Sequence, residues 1–544
     1  MKKQGFIYGS VILAASAVIT KIIGALFRIP MASLLGGTGM GYFSSAYGIF
    51  MPVYAVTAAG LPAAAARLTA RDSANGGASL PRIRKTGLFL FTAAGIVGML
   101  LILAAAPLFC KYVIHNTAAL PSVIIIAPAV LFGCPCAVLR GYYEGRMNMY
   151  PTALSQVAEA LVKLAAGLGG AYAVIKYMGN NSNLTLSYAS AAACGGITLS
   201  VLAGLLFMIA YDWVQRRSES PQICHKTDIM PVKTVIRELA SVAVPGAFCA
   251  LAANITSVID LASIINSLEK TVNAYPQLFS QYDMPLSEIP NYIYGCFSGL
   301  AVTVFNLVPS VTNMFGKGIL PAASESCGKG DRSALAKCAE QVVTVTAFVA
   351  IPCALGIAAL AKPILFLLFS HSSAEVSAAA PSLAAMTPGL VFLCISSAVF
   401  PVFQAADRAD IPVKLTLAGV AVKAAGNILL VPIPSLGIIG ASISTDLCYG
   451  VIFIASMLML KKIADISIKR LSAVLARLTL AGVFCAAAAL FSLKYTANSC
   501  GSSLSTVISI AFGGLIYIII TYFTGIFCES TLKMPISKKI KKNT

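Results

Sequence analysis

Charge is the first thing this sequence is short of. Only 11% of its 544 residues are Asp, Glu, Lys or Arg, against about 25% in a soluble globular protein. Such a chain cannot cover itself with polar surface, which excludes a water-soluble fold and makes the bilayer its solvent. Acids are scarcer still, with 20 Asp and Glu facing 39 Lys and Arg. The three histidines, His115, His225 and His371, all fall in expected loops and leave no cluster for a metal. No G-x-x-x-x-G-K-[ST] occurs, and the expected loops are too short for an ATPase domain, which excludes an ATP-driven pump. Cysteine is not scarce, with 15 in the chain, but the residues are scattered singly through apolar runs. The one close pair, Cys134 and Cys136, is spaced too tightly for ordinary zinc ligation, so the thiols read as small apolar side chains. No catalytic group, metal site or enzymatic activity is expected.

What the chain has is apolar length. Hydrophobic residues make up 58%, and the mean hydropathy is +0.84. Runs near 6–29, 42–66, 86–109, 121–140, 151–175, 185–211, 238–265, 291–316, 338–361, 379–404, 412–433, 437–460, 472–493 and 504–527 predict about 14 transmembrane helices in an all-α integral membrane protein. Each is near the ~20 residues a bilayer requires. The start, MKKQGFIYGSVILAASAV, has the outline of a signal peptide. Lys21 and Arg28 interrupt its apolar run, so it reads as an uncleaved first helix.

The cations sort by side. With these spans, one set of alternate loops and the tail carries 30 Lys and Arg, from Lys2 and Lys3 through Arg84 and Arg140 to Lys542. The other set carries five: Lys111, Lys176, Lys270, Lys362 and Lys494. Positive charge accumulates on the cytoplasmic side, so a plasma-membrane protein with both termini cytoplasmic is expected. The net charge of +19 then reflects topology, which removes nucleic acid as a partner.

The sequence also repeats. Leu61-Pro62-Ala63-Ala64 returns as Leu320-Pro321-Ala322-Ala323, and Tyr150-Pro151 returns as Ile411-Pro412, each about 260 residues on at the matching loop. Two pseudo-symmetric six-helix lobes plus two C-terminal helices are expected: a first lobe with its linker over 1–237, a second over 238–461, and the extra helices with a basic tail over 462–544. Two halves around a central cavity are a transporter plan.

With the charges at loops and span ends set aside, seven ionisable groups remain within the expected spans: Lys21, Arg28, Glu159, Lys163, Asp260, Lys423 and Asp446. A charge at a helix centre costs about 2.5–3.5 kcal/mol on insertion scales, so such groups face a cavity or a partner. Lys21 and Arg28 are seven residues apart, on one helix face and ~10 Å from each other. Glu159 and Lys163 stand at i, i+4 and have the spacing to neutralise each other. Lys423 has Asp446 or Asp260 as possible partners, and Asp260 suits either a bridge to Lys21 or a coupling-cation ligand. Four cations (Lys21, Arg28, Lys163, Lys423) against three acids favour an anionic substrate such as a phosphate or pyrophosphate head. No bound cofactor is expected, with a coupling Na+ or H+ left open.

The stretches T-K-I-I-G-A-L-F-R-I-P, L-L-G-G-T-G-M-G-Y-F, A-Y-G-I-F and A-G-L-P-A-A-A-A-R-L resemble the stage V sporulation protein B group. That group belongs, with the lipid II flippases, to the multidrug/oligosaccharidyl-lipid/polysaccharide exporter superfamily. The resemblance runs the whole length. It implies alternating access of a V-shaped cavity, a lipid-linked sugar pyrophosphate flipped outward for cell wall, spore cortex or polysaccharide synthesis, and cell-wall synthesis proteins as further partners. In the lipid II flippases an R-x-x-G-x-x-R pattern on the first helix lines the cavity. Here Lys21 and Gly24 match its first two positions, Phe27 holds the third, and the cation follows at Arg28. The resemblance also implies a lipid-tail groove at the last two helices. The competing function is a cation-coupled multidrug exporter, which would favour cavity acids over cavity cations.

Overall fold

Gly36 breaks the first long helix. In the computed structural model α1 runs Phe6–Ala58, and its only non-helical residue is Gly36, at φ 60° and ψ −171°. A side chain is strained at that positive φ, so glycine is the residue that permits two helices to join there. The structure describes residues 6–58, 61–74, 77–179, 183–218, 230–282, 284–369, 373–497 and 501–525. Among them there is helix and no strand. Among the described residues twelve helical stretches are long and apolar enough to cross a membrane, against the fourteen spans expected. Ala15–Ser73 enters that count as one stretch of 59 residues although it spans the Gly36 break. The helix carrying expected span seven is not among the twelve. Lys2, Lys3 and the basic tail from Lys533 onward lie outside the described residues.

By packing the chain divides into two units: Met1–Asn266 with Ser287–Gly295, and Ser267–Leu286 with Cys296–Thr544. The first contains α1, α2 (Leu61–Ala74), α3 (Leu80–Tyr112), α4 (Leu120–Ile126), α5 (Pro128–Gly145), α6 (Tyr150–Met178) and α7 (Asn183–Ser218), with α8 (Val232–Ala274) as far as Asn266 and α9 (Ile289–Cys296) as far as Gly295. Pro128 interrupts what would be a single span, separating α4 from α5. Small residues permit close helix approach, as membrane interfaces require. One close crossing joins α6 and α7, where a Cβ on Gly196 would fall on the Gly167 backbone. We expect Gly196→Ala to destabilise the unit by about 1–3 kcal/mol, read as a lower thermal midpoint in detergent. An unchanged midpoint would show that the crossing relaxes freely.

An ionic cluster closes one end of this unit. Arg84 Nη1 of α3 donates to Asp212 Oδ1 of α7 at 2.9 Å, and Tyr143 of α5 donates its hydroxyl to the same oxygen at 3.0 Å. Arg216 Nε donates to Asp212 Oδ2 at 2.9 Å. Elsewhere Glu288, just before α9, accepts from Tyr42 Oη and from Asn116 Nδ2, each at 3.0 Å.

The second unit contains α10 (Val302–Phe305), α11 (Leu307–Gly328), α12 (Arg332–Ala359), α13 (Ala361–Leu368), α14 (Ser373–Ala385), α15 (Thr387–Ala405), α16 (Asp410–Leu430), α17 (Ile438–Ala464), α18 (Ile468–Thr496) and α19 (Ser502–Phe523). Its core joins α12, α15 and α18 through Val343, Val399, Phe403 and Leu478. Polar contacts tie α19 to α12 and join α18 and α19 to each other. Tyr517 donates to the Phe348 carbonyl at 2.8 Å, and the Thr496 and Ser505 hydroxyls meet at 2.6 Å. Leu480, Phe484, Leu515 and Phe523 leave an exposed apolar face on α18 and α19, as lipid-facing helices require.

Candidate functional site

Two helix faces with the same spacing line a half-open cavity of about 270 Å³ in the first unit. From α1 come Thr20, Ile23, Gly24 and Phe27, at i, i+3, i+4 and i+7. From α6 come Gln156, Glu159, Ala160 and Lys163, at the same offsets, and Arg140 enters from α5. Two cations and one carboxylate line the space, so its formal charge is positive.

Each charged group has a defined seat. Lys163 Nζ lies 4.9 Å from the centroid of the Phe27 ring, and Phe27 is only 2% exposed. The ring's negative face attracts the ammonium, by about 0.5–1 kcal/mol at open sites and more when dry. A carboxylate held at the same place would neutralise Lys163; the ring orients it and leaves its charge. Arg140 Nη2 donates to Glu159 Oε2 at 2.7 Å, while its Nε donates to Ser155 Oγ at 2.9 Å. Gln156 Oε1 accepts from Ser16 Oγ of α1 at 3.3 Å.

This arrangement corrects one expectation and adds a residue. Glu159 pairs with Arg140 rather than with Lys163. The guanidinium reaches from a neighbouring helix and presents a planar fork, whereas i, i+4 spacing brings side chains near each other without aligning them. Arg140 itself reads as a loop cation in the sequence, because it ends an apolar run and precedes a polar turn. Arg84, also counted there, is buried against Asp212. The signal for Arg140 was the acid on the next span, which required a partner.

The other expected site residues fall in distinct places. Lys21 is exposed on the α1 face beside the cavity; the Lys21–Arg28 face and the cavity face share Gly24. Arg28 is half-buried, and its charge acts on the Tyr294 phenol. Asp260 of α8 acts electrostatically on Tyr294 as well. In the second unit Lys423 is buried on the face of α16 that also carries Gly419 and Gly426. Asp446 of α17 accepts the Gly389 N–H at 2.7 Å. Gly389 lies in the first turn of α15, beyond the break at Met386, where helical N–H groups have no intrahelical acceptor. Asp446 therefore caps an interrupted helix, a contact that sequence spacing does not reveal. Among the described residues no group of three or more His, Cys, Asp or Glu is placed to hold a metal.

The family model described as "Polysaccharide biosynthesis protein" matches residues 6–326, and that described as "Lipid II flippase MurJ" matches residues 300–510. Among curated proteins the chain is 23% identical to "Lipid II flippase MurJ" of Bacillus subtilis (strain 168), covering 95% of each chain. It is 26% identical to "Stage V sporulation protein B" of the same organism, covering 86% of each. Among solved structures "Lipid II flippase MurJ, inward closed conformation" superposes with a TM-score of 0.68 at 15% identity, covering 97% of this chain and 100% of that one. More than half of the chain thus matches one family, and the fold agrees. The chain belongs to the polysaccharide biosynthesis protein family, as a multi-pass, lipid II flippase-like member of the multidrug/oligosaccharidyl-lipid/polysaccharide exporter superfamily.

Proposed function

We propose that this chain moves a lipid-linked sugar pyrophosphate, a peptidoglycan or polysaccharide precursor, from the cytoplasmic to the outer leaflet by alternating access. It acts as a transporter and breaks no covalent bond. The observation that carries the reading is the cavity's charge: Lys163 over Phe27 and Arg140 beside Glu159, with Lys21 and Arg28 on the adjoining face of α1. A pyrophosphate carries negative charge that an ammonium and a guanidinium match. A multidrug exporter for organic cations would place acids there instead. The Lys and Arg asymmetry supports cytoplasmic termini, and both units carry membrane-buried charge.

With no ATP-binding motif in the chain, the driving force is an ion gradient, the membrane potential or the cargo's own gradient. Moving two negative charges outward across 100 mV, inside negative, contributes about 4–5 kcal/mol. Asp260 is our candidate for a coupling-cation ligand, since it is an acid within the membrane whose charge acts on a phenol shared with Arg28. The test is outward flipping of a lipid-linked sugar pyrophosphate by purified protein in liposomes, with and without an imposed potential. Outward movement that rises with an inside-negative potential is expected. Intact protein that moves several such lipids no faster than empty liposomes would overturn the reading in favour of multidrug export.

A further inference from the structure

The Arg140–Glu159 pair lies in the wall of the cavity, and that location is unusual for a purely structural ion pair. An ion pair that only holds helices together is best placed between them, out of reach of anything that enters. Here Arg140 and Glu159 both line the cavity, together with Lys163. On the α7 side the pair is backed by a glycine: a Cβ on Gly204 would sit 3.2 Å from Glu159 Oε2 and 3.3 Å from Arg140 Nη2. The guanidinium is also held by Ser155 Oγ, which accepts from Nε. It is oriented by a neutral hydroxyl and neutralised by a carboxylate that faces the same space.

Resting on the pyrophosphate reading above, we propose that Glu159 is a built-in competitor for the cargo's anionic head. Its carboxylate occupies Arg140 in the empty site, and an entering phosphate oxygen takes its place. The chemistry permits the exchange, because carboxylate and phosphate oxygens both accept from the same N–H fork. Ser155 keeps Arg140 in position while the partner changes. Lys163, seated on a ring and not on an acid, is the cation that first attracts the phosphate. When the cargo leaves, Glu159 recaptures Arg140, so the head group is not held in a site of undiminished positive charge. Glu159 thus acts through Arg140 as a positioning residue, limiting affinity so that cargo is released.

The experiment is a double-mutant cycle on the full-length chain in detergent, with farnesyl pyrophosphate as the titrated probe. Glu159→Gln should bind the probe about tenfold more tightly than wild type, the scale of about 1.4 kcal/mol. Arg140→Gln should bind it more weakly, and Glu159→Gln should add nothing in the Arg140→Gln background. Glu159→Asp, which keeps the charge and shortens the reach, should give an intermediate gain and covers the case in which the Gln variant does not fold. In flipping assays Glu159→Gln should lower KM and kcat together. A pair that is merely structural predicts the opposite sign, with weaker binding in every variant. Unchanged or weaker binding by folded Glu159→Gln and Glu159→Asp, or a gain that persists without Arg140, overturns the inference while leaving the cargo assignment standing. Failure of wild type and every variant to bind farnesyl pyrophosphate overturns the cargo assignment, and this inference with it.

Discussion

Replacing Lys163 by Gln should reduce flipping of a lipid-linked pyrophosphate by about 100-fold while leaving the thermal midpoint close to wild type. The ammonium lies over the Phe27 ring and makes no ion pair among the described residues, so its removal strands no acid. Its loss removes a charge that the cargo would use in a cavity only partly open to water. Truncating one partner of a desolvated, hydrogen-bonded charge pair costs about 2–5 kcal/mol, and about 2.8 kcal/mol is 100-fold. Lys163→Arg should retain a measurable part of the rate, because the positive charge survives in a different shape. Flipping rates in liposomes, paired with unfolding curves of the same preparations, check the result. A wild-type rate from Lys163→Gln would remove Lys163 from the transport path.

The second large effect is on stability. Asp212→Ala should destabilise the first unit by about 3–5 kcal/mol, since it leaves a buried cation without its counter-charge. The Arg84 side chain is 9% accessible and that of Asp212 is 3% accessible. The same carboxylate accepts from Tyr143 and Arg216, so one substitution disconnects α3, α5 and α7 together. Arg84 also faces the Tyr142 ring at 5.9 Å, a contact too weak to replace a carboxylate. The expected readings are a depressed thermal midpoint and a lower yield of folded protein from membranes. Asp212→Asn, which keeps acceptors for Tyr143 and one arginine, should lose less. An Asp212→Ala protein with an unshifted midpoint would show that water or lipid head groups reach Arg84 and solvate it.

Much of this protein is legible in its sequence. Low charge and long apolar runs implied a bilayer, because no arrangement of this composition has enough polar surface for water. The 21 and 28 spacing of the two cations put both on one face of α1, whereas the cavity's walls, 20, 23, 24 and 27 on α1 and 156, 159, 160 and 163 on α6, emerged only from the packing of the two helices. Lys163 and Glu159 were identified as membrane charges from their position alone. The count of spans was less secure, since a continuous apolar run does not mark where a backbone bends. Gly36 is one glycine in a stretch that has several, and its positive φ is a property of how the chain turns there.

Partner choice was the part that sequence did not contain. Periodicity is local: it states which residues share a face of one helix and nothing about what stands opposite. Glu159 has Lys163 one turn away, yet the structure gives it Arg140 from α5, because helix packing brings a planar donor to the right distance and angle. Asp446 takes the Gly389 amide for the same reason: an interrupted helix leaves N–H groups that a carboxylate from another helix is placed to satisfy. The sequence by itself determined the solvent, the helices and the surplus of positive charge within the membrane. The tertiary structure decided which of those charges are neutralised and which face a cavity, since that depends on distances of a few ångströms between segments far apart in the chain.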